Sequence, residues 1–172
     1  VCEGAYTAYT EFGCGAPSEW DYLGTFMTED ELAQPFTAPI WDKRHAVRWF
    51  DVAGVKRLTG CSDDMKDVVD AGNEAQKVMY ASMFEEMRRQ WPHASMAINW
   101  CYNEPWPTAA GNGLVNYPTI PRRSYYSISE ALKGQKLSLR YNKIAWKPGQ
   151  KMVLSPWVLN YSQACISEGY AV

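Results

Sequence analysis

Glu11 stands near the end of the run "AYTAYTEF" (residues 5 to 12), just before Gly13 and the small-residue loop "GCGAPS". The Tyr, Thr and Phe content favours a strand. A carboxylate at the carboxyl end of a strand, where a loop begins, is where parallel α/β folds place reacting side chains. A second stretch, "NWCYNEPWP" (residues 99 to 107), sets Trp100, Tyr102 and Trp106 around Asn103 and Glu104. An aromatic face can bury the C–H face of a pyranose while polar edges hydrogen-bond its hydroxyls. The two stretches together suggest a sugar ring lying flat while a carboxylate attacks its anomeric carbon. The plainer accounts are that Glu11 caps a loop or pairs with an arginine, and that Trp100 packs in a core. Trp106, between two prolines on a loop, suits a ligand platform.

The composition points the same way. The chain holds eight Trp, eleven Tyr and five Phe in 172 residues, so some rings must line something other than a core. Lys and Arg number 17 against 19 Asp and Glu, which gives no basic excess for nucleic acid. No apolar run approaches the roughly 20 residues that span a bilayer. Five cysteines without a C-x-x-C pair signal neither a disulfide framework nor a thiolate metal site, and buried free thiols are expected. Val1 has no Met before it and no signal-peptide pattern follows, so the sequence reads as a piece of a longer polypeptide. The sequence leaves the compartment open and leans to a periplasmic or extracellular one.

The elements that would position these residues read as follows. Residues 14 to 60 show no sustained period and predict a long irregular segment with one short helix around 29 to 33. Ser62 or Asp63 caps a helix starting near 64, with Gly72 a candidate interruption. Met79, Tyr80, Met83, Phe84 and Met87 form one apolar stripe at the helical period. Trp91-Pro92 closes that helix. "ASMAINW" (94 to 100) predicts a buried strand, so helix, turn and strand make half of a βαβ repeat. "RRSYYSISEALKG" predicts a further helix with Gly134 at its C-terminal cap. The short alternating runs after it, "KLSLRY", "NKIAW" and "KMVLSPWVLN", have the look of an antiparallel sandwich, with a Pro-Gly turn between them. A boundary near 135 leaves about 38 residues, too few for a sandwich of roughly 100.

With these residues in view, "YTEFGCGAPS" resembles the nucleophile segment of family two glycoside hydrolases, in the β-mannosidase and exo-β-glucosaminidase branch. "NWCYNEPWP" resembles that branch's last barrel strand, Trp-Gln-Leu-Asn-Asp-x-Trp-Pro, matching at Trp100, Asn103, Trp106 and Pro107, with Glu104 in place of Asp. "AQKVMYASMFEEMRR", "IPRRSYYSISEAL" and "LSLRYNKIAWKPGQKMVLSPWVLN" are similar, in the same order, to its penultimate barrel helix, its Tyr-Tyr helix and the start of the following immunoglobulin-like domain. Thr10 departs from the usual Ser, Cys101 from the usual Gln, and residues 108 to 117 lack the usual Ser-Trp-Ser pattern.

The resemblance implies an α/β fold: the C-terminal portion of a (β/α)8 TIM barrel over residues 1–134, then a partial β-sandwich over 135–172. It implies a retaining exo-acting β-glycosidase with Glu11 as nucleophile and with Trp100, Asn103, Glu104 and Trp106 binding substrate. An Asn-Glu dipeptide supplies the acid/base in many retaining glycosidases, but the chain position of Glu104 assigns it to a subsite. The acid/base is expected upstream of Val1, and the piece alone is expected to be inactive. The implied partners are a glycoside or oligosaccharide and the remainder of the polypeptide, with no metal or organic cofactor. The other classes are a noncatalytic carbohydrate-binding fragment and a scaffold whose rings only pack. His45, a lone loop histidine, reads as structural.

Overall fold

The structure, a computed structural model, describes residues 7–166. Tyr6 and Cys2 lie outside them. Strand β1, Tyr9–Phe12, carries Glu11 and is followed by the two-residue strand β2, Ala16–Pro17.

Where the sequence predicts one helix in an irregular segment, the structure has four short ones: α1 (Trp20–Leu23), α2 (Glu29–Leu32), α3 (Pro39–Lys43) and α4 (Val52–Thr59). Three of them have a local cause. Thr28 and Glu31 form a reciprocal capping box on α2. Pro39 opens α3, where its missing N–H costs nothing. For α4, the Asp51 side chain accepts from the Gly54 N–H, and Gly60, with φ 69°, ends the helix in the left-handed region. Helices α1 to α3 are only four or five residues long, too short to show a period, and the segment buries Leu23, Leu32, Phe36, Trp41 and Phe50 in one core cluster.

Helix α5, Met65–Arg89, begins at Asp64, whose carboxylate accepts from the N–H groups of Lys66 and Asp67. It runs unbroken through Gly72, because the missing Cβ there admits the Phe50 ring and Pro17. Val68 and Val69 join the first core; Tyr80 and Phe84 join a second one with Leu114, Val115, Ile128 and Ala131. Of the predicted stripe, Tyr80 and Phe84 are buried, while Met79 is 40% exposed.

Strand β3, Ala97–Asn99, pairs in parallel with β1, Tyr9 opposite Ala97 and Phe12 opposite Asn99. The β1–α5–β3 unit is thus a βαβ repeat. The predicted burial of β3 does not hold, since Ile98 is half exposed in a sheet of two strands.

The Gly/Asn/Pro segment that follows contains β4 (Ala110–Gly111), antiparallel to β2, and the hairpin β5 (Val115–Asn116) with β6 (Ile120–Pro121). Helix α6, Arg123–Ala131, stops at Leu132 rather than at Gly134. Gly134 instead starts a ribbon, its carbonyl accepting from the Tyr161 N–H. The ribbon is β7 (Gln135–Arg140) paired antiparallel with β8 (Ser155–Asn160) over six residue pairs. "NKIAW" forms no strand, whereas the Pro-Gly turn is present, with Gly149 at φ 80° and the Gln150 N–H bonded to the Lys147 carbonyl.

An ionic cluster fastens the ribbon to α5. Buried Glu86 accepts from Arg89, Gln90 and Arg140. Arg88 donates to the carbonyls of Ala131 and Lys133, and its guanidinium lies 4.7 Å from the Tyr161 ring centroid.

Candidate active site

Parallel pairing brings the carboxyl ends of β1 and β3 side by side, so their loops leave the sheet at the same edge. Glu11, the third residue of β1, is exposed there. The Trp100 N–H donates to the Phe12 carbonyl over 2.7 Å, which sets the aromatic loop against the strand that carries Glu11. The rings on that loop face water: Trp100 is 52% and Trp106 64% exposed. Trp100 therefore does not pack in a core. Asn103 is exposed and bridged to Val115, with its amide donating to the Glu104 carbonyl at 3.4 Å.

Glu104 differs from its neighbours. It is buried, and its Oε1 accepts from the Gly113 N–H at 2.7 Å. Its carboxylate fills the space that a Cβ on Gly111 or Gly113 would need, so both glycines are required for it to fit. Burial raises the Cys101 thiol pKa, and the charges of Glu104 and Glu11 add to the rise.

A buried polar network, which the sequence did not reveal, holds the two loops together. Arg122, fully buried at the start of α6, donates to the carbonyls of Ala16 and Pro17 in the first loop and of Gly111 and Gly113 in the second. Burial lowers its pKa, opposed by the charges of Glu19 and Glu104. From α5, Gln76 donates to the Cys14 carbonyl at 2.7 Å, and the Tyr80 hydroxyl donates to the Asn112 carbonyl at 2.8 Å while accepting from the Cys14 N–H. Ser18 donates to the Thr108 carbonyl, and Asn116 donates to Glu19. Buried backbone groups that would otherwise lack partners are satisfied in this way. The only sequence signal for it was a pair of adjacent arginines opening a predicted helix.

The arrangement presents one exposed carboxylate and a water-facing aromatic loop at the edge of a parallel sheet, on a braced platform. Among the described residues no His, Cys, Asp and Glu cluster fit to hold a metal ion is present, and no helix is long and apolar enough to cross a membrane.

No protein-family model matches the sequence, and no curated protein matches it by sequence comparison. Solved structures do match by shape. The β-D-mannosidase of Dictyoglomus thermophilum superposes with a TM-score of 0.64 at 19% identity, over 87% of this chain and 22% of that one. The exo-chitosanase of Amycolatopsis orientalis, in complex with PNP-β-D-glucosamine, superposes with a TM-score of 0.63 at 18% identity, over 78% of this chain and 17% of that one. The chain thus spans about a fifth of the length of these glycoside hydrolases and shares the fold of that portion of them.

Proposed function

We propose that the chain is part of a retaining, exo-acting β-glycosidase, β-mannosidase-like, that removes terminal β-linked sugars by double displacement. Residues 1–134 would supply the C-terminal part of its (β/α)8 barrel. Residues 135–172 would begin a β-sandwich, a reading supported by the β7–β8 ribbon. Glu11 attacks the anomeric carbon and forms a glycosyl ester. The bond to the glycosidic oxygen breaks as that oxygen takes a proton from a carboxylic acid elsewhere in the polypeptide. The same group then deprotonates a water, which attacks the anomeric carbon and releases Glu11. Trp100 and Trp106 offer faces to the sugar and Asn103 a hydrogen bond to a hydroxyl, with Glu104 bracing the loop below.

The observation that carries the proposal is the exposed Glu11 carboxylate at the carboxyl end of a parallel strand pair, with Trp100 bonded to the next residue. The test is Glu11→Gln in the complete polypeptide, assayed by p-nitrophenol release from an aryl β-mannoside. Activity should fall below about 1% of wild type, as for loss of a covalent nucleophile. Retention of more than a few per cent removes Glu11 from that role. The 172-residue chain alone should release no p-nitrophenol.

The exposed rings of Trp100, Tyr102 and Trp106 also suit a second reading, a noncatalytic carbohydrate-binding fragment. Oligosaccharide binding without turnover by the complete polypeptide would favour it.

A further inference from the structure

A second aromatic surface adjoins the loop that leaves Glu11. The turn at residues 47–49 lies so close to it that a Cβ on Gly15 would overlap the Trp49 carbonyl. Gly15 follows Glu11 by four residues, so at most about 14 Å of chain separates them. Beside Gly15 opens a groove of about 810 Å³. Phe36 and Phe50 line it, both buried and meeting edge to face with centroids 5.3 Å apart. Asp42 and Arg48, both exposed, add polar groups of either sign. Trp49 also lines it and keeps 42% of its surface in water.

That exposure calls for a cause. Trp41, Phe36 and Phe50 already fill the core beneath, and Trp41 stacks on Phe36 at 5.2 Å, so among the described residues the Trp49 ring has no place in that core. An aromatic face with donors and acceptors of either sign at its margin matches a hydroxyl-rich sugar better than a polyanion. The volume falls in the range of small-molecule sites and, on an oligosaccharide substrate, leaves room beyond one ring. We propose that this groove binds the leaving-group side of a β-linked oligosaccharide. The proposal rests on the glycosidase reading above and extends it from the terminal sugar to the rest of the chain. Trp49 is a substrate-binding residue in it, and Gly15 is the contact that ties the groove to the catalytic loop.

The experiment uses the complete polypeptide with Trp49→Ala and Trp49→Phe. Substrates are an aryl β-mannoside or β-glucosaminide, whichever the wild type cleaves, and the matching oligosaccharides from disaccharide to pentasaccharide. Trp49→Ala should lower kcat/KM about tenfold on the longer oligosaccharides, chiefly through KM, and by a smaller factor on the aryl glycoside, whose single leaving-group ring reaches only the near end of the groove. Trp49→Phe, which keeps a face, should restore most of the loss. Equal rates for wild type and Trp49→Ala at every length overturn the groove assignment while leaving the glycosidase reading intact. An equal loss on aryl glycoside and oligosaccharide also overturns it, since that outcome reports a displaced loop. A wild type that cleaves none of these substrates overturns both readings.

Discussion

The Trp100 N–H is one hydrogen bond from the Phe12 carbonyl, at 2.7 Å, so the residue after Glu11 and the first residue of the aromatic loop move together. Ties from Arg122, Gln76 and Tyr80 extend the coupling along both loops. A reacting carboxylate and the surface that orients its substrate must keep their relative position to within a fraction of an ångström. Here the fixing is done by backbone groups, below the exposed side chains.

Gly15→Ala should be among the most damaging single-carbon additions. The new Cβ meets the Trp49 carbonyl, a backbone atom that cannot swing aside, so a cost of about 3 kcal/mol is expected. Gly111→Ala meets only the end of the Glu104 side chain and should cost about 1 kcal/mol, the worth of the displaced hydrogen bond. Denaturant unfolding of the two variants checks the order.

Arg122→Met should cost about 3 to 5 kcal/mol, because four buried carbonyls lose a charged donor at once. Thermal unfolding reads the loss. A change below about 1 kcal/mol would mean that the loops are held by the sheet pairs alone.

Glu86 makes the ribbon's attachment sensitive to acid. Burial pushes its pKa up, but hydrogen bonds from Gln90 and Arg89 and the charges of Arg89 and Arg140 outweigh that and hold it below the ordinary carboxylate value. A lowered folded pKa contributes stability that is complete above the unfolded value of about 4.3 and disappears as pH falls through the folded one. Glu86→Gln should therefore lower Tm at pH 7, and the gap to wild type should close as the pH drops below about 4. A gap that is constant with pH would show that the charge is not what matters.

The thiols should react in a fixed order. Burial raises Cys14 to a pKa of about 11, so at pH 8 only about one molecule in a thousand carries its thiolate. Cys165 is exposed. Among the cysteines of the described residues, treatment with a disulfide reagent at pH 8 should label Cys165 first, with Cys14 slower by at least about tenfold. Mass spectrometry of a time course decides it.

Strand β1, helix α5 and strand β3 were legible in the sequence because each has a local signal: Tyr and Thr enrichment, an apolar period, and Trp91-Pro92 between helix and strand. The exposure of Glu11 and Trp106 follows from where these elements end. The three helices between Trp20 and Lys43 were not legible as a group, because helices of four or five residues show no period and are held by rings distant in sequence. The capping signs of α4, Asp51 and Gly60, were present all the same. Exposed Ile98 escaped prediction because burial depends on how many strands flank the sheet, and a strand's residues do not encode that number. The tie from Arg122 to Ala16 crosses more than a hundred positions, and no local pattern announces it.

Helix α5 spans 25 residues, roughly 37 Å of rod. Its first half packs Val68 and Val69 into one apolar cluster and its second half packs Tyr80 and Phe84 into the other. Neither cluster can melt without fraying the axle that the other is built on. Heat should therefore take both apart in a single cooperative transition.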